Sequence, residues 1–290
     1  MTKSKLFLKK PVKAALLLFS LAVAFLALLN GCQNQIKSTY KEEDIPYVVK
    51  EICKDEYSLD VTTKRTANTL WIYAPVDKIL HKDYGVKEDK VFDEELSEKL
   101  RNILTTIGRV LISSDNTPEF FALVASDIKI GLDYTIIGNI LDMKKSYAGF
   151  LPWTEANRRY VIGFKVAPEA IGDTGGTHLK FYDIKLGDFL AEQIAQRINA
   201  QFQQEGRNKY FQVKKVDGKF RDDVFMFEYD IKQVAATKEK TDIRKEILQT
   251  IGYLLKSYEF KDFSTIEISD LDLNDKLVLS RVSIYGKAMP

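Results

Sequence analysis

The sequence is poor in the residues that most often carry chemistry. It has two histidines, His81 and His178, and two cysteines, Cys32 and Cys53. A His-rich metal site is excluded, and so is a disulfide framework, which needs several cysteine pairs. An excess of one charge is missing too, with 43 Lys and Arg against 41 Asp and Glu. There is no GxxxxGK[ST] phosphate loop, no HExxH metal motif and no GxSxG nucleophile turn. No cofactor or metal is expected from such a set. Only 15 Gly and 7 Pro in a chain that is 45% hydrophobic exclude a collagenous or low-complexity protein and leave ample material for a core.

One long apolar run exists, Ala14–Leu29, with Ser20 its only polar residue. It is shorter than the roughly 20 residues of a spanning helix. Lys3, Lys5, Lys9, Lys10 and Lys13 precede it, and residues 1–31 contain no acid. A basic start followed by a short apolar stretch is the pattern of a secretory signal. The lysines stay at the anionic cytoplasmic surface while the apolar stretch enters the hydrocarbon.

The run ends in Leu29-Asn30-Gly31-Cys32. This resembles the lipobox of bacterial lipoprotein precursors, with Leu three residues before the acceptor Cys and a small residue just before it. Asn30 stands where such precursors carry a small or aliphatic residue. The resemblance covers residues 1–32. It implies a diacylglycerol on the Cys32 sulfur, cleavage before Cys32, and a membrane-held protein of the cell envelope. Gln33, where an Asp would signal inner-membrane retention, favours the outer membrane facing the periplasm. Loss of the leader removes five of the 43 basic residues and no acid, so 38 bases face 41 acids and the net charge becomes −3. Nucleic acid is therefore not an expected partner. Gln33–Glu42 is polar and aperiodic, the composition of a tether; residues 32–42 are read as lipidated Cys plus tether.

The body repeats one pattern four times. Glu43–Glu56 places Ile45, Val48, Val49, Ile52 and Cys53 on one helical face. Strand-like runs Tyr57–Thr63 and Thr69–Ala74 follow, around a polar turn at 64–68. Helix Glu94–Ser113 precedes strands Phe120–Ser126 and Asp133–Lys144. Helix Leu186–Glu205 precedes Tyr210–Val216 and Val224–Ile231. Helix Thr241–Ser257 precedes Phe263–Ser269 and Leu277–Ile284. The second and fourth units align. Ile103-Leu104, Ile107-Gly108, Leu111 and Ser113 match Ile247-Leu248, Ile251-Gly252, Leu255 and Ser257 at an offset of 144, and Phe120 with Ser126-Asp127 matches Phe263 with Ser269-Asp270 at 143. This predicts an α+β fold of repeated helix-plus-β-hairpin units, amphipathic helices packed on largely antiparallel sheet, in two similar halves, 43–168 and 169–290. The spacing leaves open whether the halves share one sheet or form two domains.

Ser146–Lys185 interrupts the repeat and holds 5 of the 15 glycines. Arg158–Val166 and His178–Ile184 have strand character within it. Phe150, Trp153, Arg158 and Arg159 form the best aromatic-plus-guanidinium group and are the expected binding residues, because binding residues concentrate in loops carried by a rigid scaffold. The competing expectation is a hydrolase using His178 or carboxylates within 146–185. Cys53 is expected as a buried, inert thiol. Ser126-Asp127 and Ser269-Asp270 are expected in turn or capping roles. The run Leu132–Ile140 is similar to a strand in periplasmic domains of the TolB-amino-terminal and CsgG type, some of them lipoproteins of envelope assemblies. That similarity spans nine residues and implies an envelope-protein partner.

Overall fold

Pro46 opens the first long helix, α1 (Ile45–Tyr57), where its fixed φ suits the first turn and its missing N–H is not needed. Ser58, left-handed at φ 55°, ends it. The computed structural model describes residues 39–82, 91–236 and 241–285. The leader, Cys32 and residues 33–38 of the tether lie outside the described residues. Tyr40–Glu42, read as tether, belong to the body: the Tyr40 N–H bonds the Ser113 carbonyl at 3.2 Å, and Glu42–Asp44 forms a 3₁₀ turn.

The hairpin β1 (Thr62–Thr66) and β2 (Thr69–Val76) follows α1. Helix α2 (Glu94–Ile112) is capped by the Asp93 carboxylate on the Glu95 N–H. It leads to β3 (Phe120–Asp127) and β4 (Leu132–Asn139), then to the short helices α3 (Ile140–Tyr147) and α4 (Trp153–Asn157) and the strand β5 (Val161–Val166). The second half runs α5 (Leu186–Gln203), β6 (Phe211–Arg221), β7 (Val224–Gln233), α6 (Ile243–Ser257), β8 (Thr265–Asp270), β9 (Asp275–Ser280) and α7 (Arg281–Tyr285). All four helix-plus-hairpin units are present, and the fold is α+β.

The halves do not share a sheet. Strands β1 to β5 form one sheet in chain order, and β6 to β9 another. Pairing is antiparallel except where a helix crosses over: β2 with β3 through α2, and β7 with β8 through α6. The duplication extends into the turns. Four residues join β3 to β4 and four join β8 to β9. Each loop ends on a left-handed residue, Gly131 (φ 69°) in one and Asn274 (φ 50°) in the other, 143 positions apart.

The layers explain why one sheet would not suffice. Leu70, Ile72, Phe121, Leu123 and Ile136 on one face of the first sheet pack with Val49 and Cys53 of α1 and Ile103 and Ile107 of α2. Trp71, Tyr73, Phe120, Ala122 and Val124 on the other face join the core of α5, α6 and the second sheet. Helix α5 thus lies between two sheets and is apolar on more than one side. Its contact with β6 is close: a Cβ on Gly218 would meet the Ala191 carbonyl oxygen at 2.3 Å. The far face of the second sheet is solvated and laced with ion pairs, such as Lys215–Glu228 at 2.6 Å and Lys276–Glu267 at 2.8 Å.

Several element boundaries differ from the periodicity reading. The second expected strand pair loses its end to α3, because the Asn139 side-chain Oδ1 accepts from the Leu141 and Asp142 N–H groups and caps a helix there. Lys64 and Arg65 lie in β1, and the turn is Ala67-Asn68. Leu277–Ile284 divides into β9 and α7. The stretch His178–Ile184 forms no strand; His178 lies in a turn, and the residues after it bind side chains of the first sheet instead. The Trp71 Nε1–H donates to the Tyr182 carbonyl at 2.8 Å, and the Thr69 hydroxyl accepts from the Ile184 N–H at 2.9 Å. This strap lies between the first sheet and α5. No described helix is long and apolar enough to cross a membrane; the run Ala14–Leu29 is outside the described residues.

Candidate functional site

Three groups of side chains gather in and around 142–183, and they have different characters. The first is exposed. Helix α3 ends in a tight turn with Gly149 left-handed at φ 76°, its N–H on the Ser146 carbonyl and the Phe150 N–H on the Lys145 carbonyl. Pro152 then opens α4 at Trp153. Buried Leu151 anchors this turn, so Phe150 and Trp153 are held outward at 84% and 59% exposure by fixed backbone. At the end of α4 and beyond it, Asn157, Arg158 and Tyr160 line an open cleft of about 560 Å³, closed on its other side by Gln196, Arg197, Gln201 and Gln204 of α5 and its end. Exposed Arg158 has no partner among the described residues.

Arg159 belongs to a second, buried group and is not part of the exposed surface. Its guanidinium donates to Asp142 at 2.9 Å and to Glu155 at 3.1 Å. Arg197 grips both Glu155 oxygens at 2.7 and 2.6 Å, and the Tyr258 hydroxyl donates to Asp142. Burial opposes the Glu155 charge, but the two arginines outweigh it and hold the carboxyl below its ordinary range. Burial also pushes the Tyr258 hydroxyl far above the usual phenol range, helped by Asp142. The group joins α3 and α4 to α5 and α6, so Arg159 ties the two halves together. From sequence it groups with Arg158 at the start of a stretch with strand character. One residue of helical turn sends the two side chains to opposite environments.

The third group surrounds His178. The imidazole Nδ1 lies 2.6 Å from Asp173 and Nε2 lies 3.3 Å from Asp133. The Ser126 hydroxyl donates to Asp133 and the Tyr73 hydroxyl to the Asp173 carbonyl. Burial raises the Asp173 carboxyl, but the His178 ring, the His178 and Gly175 amides and the Thr177 hydroxyl overcome this and hold it well below the carboxylate range. Tyr73 is pushed up to about 12, chiefly by burial. Ser126 bonds an aspartate and not the imidazole, so this is not a nucleophile–base pair. The His178 side chain is 3% exposed, and none of the described cavities is lined by it. The glycine-rich stretch 172–177 is accordingly a folded clamp on the first sheet.

The carboxylates of this region are occupied as well. Asp183 accepts from the Asn68 N–H at 2.9 Å and from the Thr69 hydroxyl at 3.3 Å. Ser126 and Ser269 part ways, whereas Asp127 and Asp270 both cap turns. Cys53 is fully buried, and burial raises its thiol against a weaker pull from the Thr106 hydroxyl. Among the described residues no group of three or more His, Cys, Asp or Glu could hold a metal. Cys32 lies outside the described residues.

The chain matches no known family. No family model fits it, and no curated protein or solved structure gives a significant match. Of the residues expected from sequence, Phe150 and Trp153 are exposed and Arg158 lines the cleft, whereas Arg159 is buried. Sequence reasoning missed Gln196, whose side chain closes the cleft against β5; nothing in a helical Gln marks it out.

Proposed function

We propose that this chain is a lipid-anchored protein of the bacterial cell envelope, held through an acylated Cys32 on the outer membrane and facing the periplasm. Its body serves as a non-enzymatic binding or scaffolding module. The anchoring half of this reading rests on Leu29-Asn30-Gly31-Cys32 behind a basic, apolar leader. The binding half rests on one observation: Phe150 and Trp153 stand outward on a fixed turn, and a few residues on, Arg158, without a partner among the described residues, lines an open cleft.

Large aromatics are costly to leave in water, and a turn anchored by Leu151 gives them no freedom to fold back. Trp and Arg are also the side chains that most often dominate interfaces. A partner with an apolar pocket for Trp153 and a carboxylate for Arg158 fits this surface.

The test is affinity capture of the native lipoprotein from detergent-solubilised membranes. Trp153→Ala and Arg158→Ala should each lose the captured component while melting within a few degrees of the parent, since neither side chain is buried. Retention of the component by both variants would remove this surface from the proposal.

A further inference from the structure

The edge of the first sheet carries a second feature that continues the same surface. Among the described residues strand β5 pairs with β4 on one side only, with Ile162 opposite Ile136, Phe164 opposite Tyr134 and Val166 opposite Leu132. On the free side, the Gln196 side chain accepts from the Ile162 N–H at 3.0 Å and donates to the Ile162 carbonyl at 2.7 Å. These are the two bonds that a neighbouring strand would make. Backbone direction in an antiparallel strand alternates with a period of two, so the N–H and C=O of Phe164 and Val166 also face outward. No described residue bonds them.

On one face of the sheet the side chains along this edge are apolar, while Lys165 on the other face is exposed beside Glu169. Ile162, Phe164 and Val166 are 40%, 50% and 74% exposed, and Ile130 and Ile171 beyond them are 59% and 57% exposed. Phe164 keeps its place by stacking on Phe92 at 5.9 Å. Natural sheets normally blunt a free, apolar edge because it templates pairing with another chain. Here the backbone is capped at the Ile162 end, by Gln196, and Lys165 is the one charge on the strand; the Ile162 end opens into the cleft that holds Arg158.

We infer that the free edge of β5 is the docking line for an extended segment of a partner protein, which adds to the first sheet as a sixth strand. The inference rests on the binding reading above and gives that partner its chemistry. The segment has apolar residues at alternate positions, to lie over Phe164 and Val166, and a carboxylate at the end that reaches Arg158. A second copy of this chain fits less well. With Ile162 already taken by Gln196, two copies of β5 can pair only through Phe164 and Val166. That pairing is centred on Lys165 and sets Lys165 opposite its own copy, a repulsive cross-strand pair.

The full chain, purified from solubilised membranes, carries the test. A photoreactive phenylalanine at position 166 should crosslink to one short contiguous segment of the protein captured in the Trp153 experiment. Val166→Pro removes the outward N–H without touching the β4 ladder and should cut capture at least tenfold. Val166→Thr keeps the N–H and the shape and should retain it. If Val166→Pro melts early, Val166→Lys replaces it, since a charge on the apolar strip repels an added strand. Capture unchanged by these variants, together with loss on Trp153→Ala, overturns strand addition and leaves the binding surface standing. Capture unchanged by Trp153→Ala and Arg158→Ala as well overturns both. A crosslink to β5 of a second copy overturns the assignment to a foreign segment.

Discussion

Asp127 and Asp270, 143 positions apart, make the same turn. Each carboxylate accepts the backbone N–H groups two and three residues ahead: Lys129 and Ile130 at 3.0 and 3.2 Å, and Asp272 and Leu273 at 3.1 Å each. Each also has a second oxygen in use, Asp127 on the Ile79 N–H at 3.2 Å and Asp270 on the Tyr229 hydroxyl at 2.9 Å. Both substitutions to Ala should therefore destabilise, by about 1–3 kcal/mol each, because every buried donor left behind loses its partner. Asp127→Ala should be the worse of the two, since it orphans a buried backbone amide. Equal melting of both variants with the parent would show that water replaces the carboxylates freely.

The helices of the repeat make a matching pair. Leu104 and Leu248 are half-buried beside their cores, whereas Ile107 and Ile251 are wholly buried. Ile107→Ala and Ile251→Ala should each cost about 2–5 kcal/mol through lost contacts and a residual cavity. Leu104→Ala and Leu248→Ala should cost less. Urea midpoints of the four variants check the order.

Asp173 supplies a pH dependence with a definite sign. Its carboxyl is held below the ordinary range in the folded chain by His178 and neighbouring donors, against the cost of burial. A depressed carboxyl adds stability that is complete above its unfolded value and is lost as pH falls through the folded value. Stability should thus decline as pH drops below about 4, near the ordinary Asp value. Asp173→Asn should be less stable at neutral pH and should show a flatter acid limb. An acid limb of unchanged slope in the variant would assign that titration to other carboxylates.

Cys53 is a second environment that can be read directly. With no exposure and a thiol raised chiefly by burial, it should react with a thiol reagent only after denaturation. Rapid labelling of the folded chain would show that α1 opens from the sheet in solution.

Anchoring has its own measurement. Acyl chains contribute about 0.8 kcal/mol per buried methylene, so two or more chains hold a protein firmly on a bilayer. Cys32→Ser should abolish incorporation of labelled palmitate and leave an unprocessed chain. Incorporation at the parental level would place the lipid elsewhere.

What the amino-acid sequence determined by itself is local. The apolar periodicity of α1, α2, α5 and α6 and the turn residues between strands gave four helix-plus-hairpin units, and Asp127 with Asp270 marked them as copies. These features rest on contacts within a few residues and on the face an element must bury, both written in spacing. The number of sheets, the strap at 176–185 and the burial of Arg159 and His178 were decided only in three dimensions. Helix α5 is apolar around more than one side, and a pattern of that kind says that a helix is covered without saying by how many sheets. Arg159 stands among the expected binding residues and His178 as the hydrolase candidate, because their partners, Asp142 and Asp133, sit 17 and 45 positions away. Charge pairs over such distances leave no period in the chain, and it is the packing of the two halves against each other that brings them into reach.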